Sequence, residues 1–428
     1  MTLPSPPDAK HLARDATSLN DPGHAEIQIW AAGTGGGHYS VAQALVTALA
    51  RRRSGGIRVA LDDPTNDPIG RTARSLARAY GPLVRTSPAL WGVLYRGFSS
   101  RQLSSGMDRF LLRQLGPAMA ERTRLRSPQV IVNCHPLLGP AARSAADAAA
   151  VNGVSPALLT VMTDLVGGHP GWLSPRPDAI LTATNEATAW CLQHGVPSHL
   201  IRETGLPIDP RLSAAQPTPD GRRAQRASLG LARDPLLVLV GGGAEGVGSL
   251  RRLTRWLGAS GLPLQLIVAC GNNRRLLEWL RRHPPQVPTV ALDFQASLIP
   301  WLLAADVYLG KPGPSTLAEA AAAGLALVVT EALPGQEDHN GAAVVAAGAA
   351  LQVQGRAQVL GALARLCRPE DPLLGELQRG SRTWARPEAA NAAAEIVLSF
   401  LDSAASAVPS PPPARSAAGL AAVLQPPN

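Results

Sequence analysis

Lys311 stands in the run Gly310-Lys311-Pro312-Gly313-Pro314, directly ahead of Ser315, Thr316 and an Ala-rich stretch that carries Glu319. A β-branched and aromatic run, Asp306 to Leu309, precedes it, so the spacing predicts strand, tight turn and helix start. A helix's first N–H groups lack intrahelical partners. Those of Ser315 and Thr316 therefore suit phosphate oxygens, and the helix dipole adds roughly 0.3 to 1 kcal/mol per anionic contact. Lys311 would add a full charge, and it is one of two lysines in the chain, the other being Lys10. A compact ammonium is thus used where the composition otherwise prefers arginine. A second apolar strand, Leu325 to Thr330, spills into Pro334-Gly335-Gln336-Glu337 at the same sheet edge. Two such loops side by side make a crevice suited to a nucleotide diphosphate that carries a sugar. Taken alone, Thr316 and Glu319 also read as a T-x-x-E capping box, and Lys311 as a solvated charge.

The other half of the chain repeats the pattern. An alternating strand, Glu26 to Ala32, ends in Gly33-Thr34-Gly35-Gly36-Gly37-His38 and runs into a helix with Val41, Leu45 and Leu49 on its apolar face. With Asp62 and Asp63 after the next strand this imitates a dinucleotide-binding fold, but G-x-G-x-x-G needs glycine where His38 stands. An NAD-dependent dehydrogenase is therefore a minor alternative, and no P-loop occurs. An imidazole with an ordinary pKa of about 6.5 can take a proton at neutral pH, although a lone histidine is usually structural. Later strands deliver further loops: Gly241-Gly242-Gly243 after Leu236 to Val240, Gly271-Asn272-Asn273 after Ile267 to Cys270, and Asp293-Phe294 after Val290 to Leu292. Glycines of this kind let backbone amides approach phosphate closely, or merely form a tight turn.

The scaffold that must position these loops is large enough for two domains, at 428 residues. Aromatic residues are only 4% and charged residues 17%, which suits a helix-and-sheet protein rather than a disordered class. No run of 18 uninterrupted apolar residues occurs, so neither a standard secretion signal nor a membrane span is expected. Cys134, Cys191, Cys270 and Cys367 form no C-x-x-C pair and read as reduced thiols of a cytosolic protein; no metal-binding element stands out. The net charge is +9, and residues 51–126 hold fifteen arginines against five acids. Tyr80, Trp91, Tyr95, Phe98 and Phe110 are interleaved with those arginines. This segment is expected to form helices over Asn66 to Phe98 and Gly106 to Arg126, joined by a mobile loop at Ser99 to Ser105. It reads as an amphipathic surface for an anionic bilayer, at about 1 kcal/mol per basic residue, ahead of a solvated face or a nucleic-acid site.

The expected organisation is a disordered N-terminus (1–24), a first domain (25–212) for acceptor and membrane, and a second (213–384) for the donor. The second opens on a polar linker at 213–226. A helix returning to the first domain (385–402) and a disordered tail (403–428) complete it.

The run K-P-G-P-S-T-L-A-E-A followed by P-G-Q-E-x-x-N resembles the donor-sugar signature of monogalactosyldiacylglycerol synthases and processive diacylglycerol glucosyltransferases, in glycosyltransferase family 28. The enzyme that makes peptidoglycan lipid II is a more distant member. Companion motifs are G-G-G-H ending at His38, T-D-x-x-x-x-H-P-G-W from Thr163 to Trp172, and G-V-P-x-x-x-I-x-x-x-G-L-P-I-D at the domain boundary, so the likeness spans roughly residues 26 to 400. It implies an α/β protein of the GT-B type, two doubly wound Rossmann-like domains facing a cleft. It also implies an inverting, metal-independent transferase that needs no cofactor beyond its UDP-sugar. By this resemblance Glu319 binds the ribose, and Gln336, Glu337 and Asn340 hold the hexose. Phe294 lies over the uracil, and Gly242, Gly243, Asn272, Lys311, Gly313, Pro314, Ser315 and Thr316 complete the donor site. His38 would act as base at the acceptor hydroxyl, assisted by Asp164, with Gly36, Gly37, His135, Thr163, His169 and Trp172 on the acceptor side. The expected partners are UDP-galactose or UDP-glucose, a lipid acceptor (diacylglycerol first) and an anionic membrane surface met through residues 51–126, with no nucleic acid. The expected location is cytoplasmic, peripherally on the inner face of the cell membrane. Another lipid-linked acceptor, a same-fold UDP-sugar epimerase and a non-catalytic lipid-surface protein are the alternatives.

Overall fold

The computed structural model describes residues 26–33, 36–52, 57–66, 71–98, 101–151, 154–173, 177–214 and 218–407. The expectations for residues 1–24 and for the tail beyond 407 lie outside the described residues.

The first half runs β1 (Ile27–Trp30), α1 (Gly37–Arg52), β2 (Val59–Asp62), α2 (Arg71–Thr86), α3 (Pro88–Phe98), α4 (Arg101–Arg126), β3 (Val130–Asn133), α5 (Gly139–Ala148), β4 (Ala157–Val161), β5 (Ala179–Thr182), α6 (Asn185–Gln193) and β6 (Ile201–Glu203). Its strands form a parallel sheet of order β2-β1-β3-β4-β5-β6. β1 and β3 are buried along their whole length, as strands covered by helices on both faces must be, which is why they read as short continuous apolar runs.

The second half runs α7 (Pro219–Ser228), β7 (Leu236–Gly241), α8 (Leu250–Gly258), β8 (Leu264–Ala269), α9 (Arg274–Arg282), β9 (Thr289–Leu292), α10 (Ile299–Ala304), β10 (Val307–Gly310), α11 (Pro314–Ala322), β11 (Ala326–Val329), α12 (Asn340–Ala346), β12 (Ala350–Gln352), α13 (Gly355–Leu366) and α14 (Leu373–Trp384). Its sheet is also parallel, of order β12-β11-β10-β7-β8-β9. In each sheet the order reverses once, at β1/β3 and at β7/β10. The loops leaving the C-terminal ends of those strands border a crevice, where ligands of open α/β sheets bind.

α15 (Ala389–Ala407) carries the chain back, packing against α1, β3 and β4. Its buried Ala390, Ala393, Ala394, Val397 and Leu401 make a helical stripe, and the small alanines let its backbone approach α1 closely. The helix continues to Ala407, five residues beyond the expected end at 402. The two crossings between domains touch: Gly205, at φ +87°, would place a Cβ 2.6 Å from Cβ of Arg386 and 2.9 Å from that of Ala389.

Two expectations give way here. Residues 219–228 are not linker but helix α7, whose Arg222 and Arg226 are buried. Arg222 donates to the carbonyls of Ala305, Ala323 and Gly324, and Arg226 donates to that of Ala304 and pairs with Asp306. Five N–H donors on a rigid fork let arginine satisfy several loop carbonyls at once, so a polar-looking segment is part of the core. The expected loop at Ser99 to Ser105 is also shorter, since α4 is already helical from Arg101.

Candidate functional site

The half of the crevice expected to take the donor is built at the β7/β10 switch point. Tyr308, fully buried in β10, donates its hydroxyl to the carbonyl of Lys311 at 2.8 Å and to that of Gly241 at 3.2 Å, locking the two strand ends together. Gly243 lies against Lys311, its missing Cβ 3.4 Å from the lysine Cε. The N-cap of α11 is Gly313 and its first residue is Pro314, which has no N–H to waste there; Ser315 and Thr316 follow with theirs unused by the helix. Thr316 therefore lies in the first turn and does not cap it. The capping box is absent.

Glu319 is thereby released for the cleft, where its carboxylate accepts from Oγ of Ser40 of the other domain at 3.3 Å. Burial pushes it up to about 7, against the opposing pull of that hydrogen bond. Lys311 pairs with Glu337, whose second oxygen accepts from the Leu333 N–H at 3.0 Å. Asn340 donates to the carbonyl of Pro312 at 3.1 Å. Lys311, Gly313, Glu337 and Asn340 are thus clustered, with Gln336 next in the chain to Glu337. Asn272 donates to Glu245 at 2.9 Å, close to the Gly242-Gly243 turn. Phe294 follows β9, the edge strand two removed from β7, and is 55% exposed.

The half expected to take the acceptor lies at the β1/β3 switch point. His38 enters from the first turn of α1, and its Nδ1 is 2.9 Å from the Thr163 hydroxyl. Its ring lies 4.4 Å from that of His135 and 5.9 Å from that of Trp172. Burial holds its imidazole down at about 4, with a hydrogen bond to the Cys134 backbone opposing. It is therefore neutral at pH 7. Asp164 accepts from the Trp172 indole at 2.6 Å, and burial pushes it up to about 6. The direct partner of His38 is thus Thr163, with Asp164 spent on Trp172. His169 accepts from the Gly171 N–H at 3.0 Å, which shapes the turn beneath that tryptophan.

The halves meet. Ser315 donates to the Gly37 carbonyl at 3.4 Å, so the first turns of α1 and α11 face one volume with their positive ends. Gly36, at φ +80°, would place a Cβ 2.5 Å from that of Ala244, so any side chain there would push the glycine turns of the two domains apart.

The basic segment behaves differently from expectation. α2 and α3 lie across the cleft, and the aromatic side chains face inward. Tyr80 and Trp91 pack with Val84, Val247 and Leu333; Tyr95 meets the His169 ring at 5.8 Å. Arg85 pairs with Glu245, and Arg96 with Asp338 at 3.8 Å. Phe110 packs on the core beside Leu111 and Met119, while Arg126 is taken by Asp62. The side chain of Phe98 lies outside the described residues. The sequence shows arginine and aromatic residues interleaved without showing that their partners lie in the other domain. Tyr80, Tyr95, Ser40 and Glu245 border the crevice and were missed by sequence reasoning for this reason, while Tyr308 was missed because its apolar strand hides a hydroxyl that bonds within its own domain.

Among the described residues, no helix is long and apolar enough to cross a membrane.

The family model for monogalactosyldiacylglycerol (MGDG) synthase matches residues 38–208. A probable monogalactosyldiacylglycerol synthase 3 of Oryza sativa subsp. japonica is 28% identical over 369 residues, 83% of this chain and 70% of that protein. Monogalactosyldiacylglycerol synthase 3 of Arabidopsis thaliana is 27% identical over 74% of this chain and 68% of that protein. Among solved structures, Acinetobacter baumannii MurG superposes with a TM-score of 0.54 at 18% identity, covering 88% of this chain and 100% of that one. Anabaena HepE in complex with UDP and glucose gives the same TM-score at 12% identity, again covering 88% and 100%. The two doubly wound domains are of the GT-B type, and over most of its length the chain is similar to monogalactosyldiacylglycerol synthases.

Proposed function

We propose that this protein transfers galactose from UDP-galactose to the free hydroxyl of diacylglycerol, inverting the anomeric centre without a metal. The observation that carries the reading is the shared volume between a neutral, oriented His38 and the N-terminus of α11, linked by the contact of Ser315 with Gly37. The naming of the relatives as monogalactosyldiacylglycerol synthases supports galactose over glucose and diacylglycerol over other lipids.

In this mechanism His38 takes the acceptor proton as the hydroxyl oxygen attacks the anomeric carbon. The bond from that carbon to the diphosphate breaks on the opposite face, its electron pair leaving with UDP. Charge developing on the diphosphate is met by the N–H groups of Ser315 and Thr316 and by Lys311. Loss of one such aimed donor typically costs about 2.7 to 4 kcal/mol in the transition state. Glu319 receives the ribose hydroxyls; Glu337, Gln336 and Asn340 hold the hexose.

The outer face of α3 supports approach to a bilayer: Leu90 is 51% and Val93 62% exposed, one helical turn apart, while Arg78, Arg109 and Arg113 are exposed on the neighbouring helices. On this reading the protein works at the cytoplasmic face of the cell membrane, attached peripherally.

The test is incubation of the full chain with vesicles of diacylglycerol and anionic lipid, with UDP-galactose or UDP-glucose, followed by mass spectrometry of the lipids. Hexosyl-diacylglycerol from UDP-galactose is expected. Release of UDP without glycolipid would overturn the acceptor, and no release of UDP would overturn the transfer.

A further inference from the structure

We infer that Tyr80, contributed by the first domain, completes the hexose pocket of the second and makes a direct hydrogen bond to the donor sugar. Tyr80 sits in α2, which lies with α3 across the mouth of the donor loops. The strap is fixed to the second domain at three points. Arg85 pairs with Glu245, which also holds Asn272. The Tyr95 ring fills the space left by the absent side chain of Gly335, its Cδ1 2.9 Å from where a Cβ would stand. Trp91 presents its ring to the edge of Tyr80 at 4.9 Å, and both pack on Val247 and Leu333.

These contacts aim the Tyr80 hydroxyl at Gln336, but the bond they allow is long, 3.5 Å. A hydroxyl bond normally closes to about 2.7 to 2.8 Å. The phenol is largely enclosed, and burial, then Glu337 and Glu245, hold it protonated. A committed donor with a distant acceptor, beside two residues that would hold the hexose, has its hydrogen-bonding capacity to spare for a sugar hydroxyl. The same strap carries Tyr95 between Gly335 of the hexose loop and His169 of the acceptor cluster, so the sugar enters with strap residues on the side facing the acceptor.

The inference rests on the hexosyl-transfer reading, and the experiment separates the two. Tyr80→Phe keeps the ring on Trp91 and removes only the hydroxyl. Its affinity for UDP is measured by calorimetry, and kcat/KM for UDP-galactose on diacylglycerol vesicles by initial rates. The expected result is UDP affinity within twofold of the unsubstituted protein and kcat/KM lowered about tenfold, the loss of one hydrogen bond to the sugar. Unchanged kcat/KM, or equal losses in UDP affinity and kcat/KM, overturns the assignment of Tyr80 while leaving the transfer intact. If the unsubstituted protein releases no UDP from a UDP-hexose, the transfer reading fails and the Tyr80 inference with it.

Discussion

The Thr163 hydroxyl lies 2.9 Å from Nδ1 of His38, tying the loop after β4 to the first turn of α1. A hydroxyl in that position fixes the imidazole's tilt without supplying charge. The neutral state of the imidazole follows from burial, which holds His38 at about 4.

Thr163→Val should lower kcat by about tenfold, part of the 10²–10⁴ that a positioned base contributes, while Thr163→Ser restores it. His38→Ala should remove transfer while UDP still binds. The readouts are steady-state rates on vesicles and calorimetry with UDP.

The titration of Glu319 makes donor binding pH-dependent. The raised value, about 7, means that the carboxylate gains its charge only as the pH rises through neutrality. Affinity for UDP, whose ribose hydroxyls need an ionised acceptor, should fall between pH 8 and pH 6, and Glu319→Gln should be weaker but flat across that range. Stability runs the other way. The folded state holds the proton more tightly than the unfolded one, so the stabilising contribution is complete below about 4.5 and is lost as pH rises through about 7. The loss is no more than about 3 kcal/mol. Glu319→Gln should therefore raise Tm at pH 8, read by calorimetric unfolding.

Lys311 and Glu337 are a nearly enclosed ion pair, so the two effects of removing the lysine can be separated. Lys311→Met should lower turnover and also strand a buried carboxylate, a loss of about 3 to 5 kcal/mol. Adding Glu337→Gln should recover much of the Tm and none of the turnover.

Arg222→Met should destabilise the second domain, because the carbonyls of Ala305, Ala323 and Gly324 lose their donor. Each buried acceptor left alone costs roughly 1 to 3 kcal/mol. Denaturant unfolding should show the shift, with UDP affinity of the folded fraction unchanged.

What the sequence made legible was local. The turn before Pro314 could be read because strand, glycine turn and helix start lie within a dozen residues, and the fold class came with the family resemblance of the motifs in both halves. What it hid was distant pairing. Arg222 lies 83 residues from Ala305, so α7 looked like a linker. Tyr80 lies 256 residues from Gln336, so the inward direction of the segment's aromatic side chains could not be read from the sequence. Glu319 fits a capping box by spacing alone. Only the extended backbone at Gly313 shows that the helix begins too early in the run for Thr316 to cap it.

The contact of Gly205 with Arg386 and Ala389 has a mechanical meaning. Two well-separated connections between domains would define a door hinge with one axis. Two connections pressed together act as a ball joint, free to twist as well as to open. Contacts away from the joint, Ser40 with Glu319 and Ser315 with Gly37 in the cleft and Arg85 with Glu245 and Arg96 with Asp338 at the rim, then bear on the orientation. The strap of α2 and α3 is thereby one of the contacts that hold the angle between the two halves.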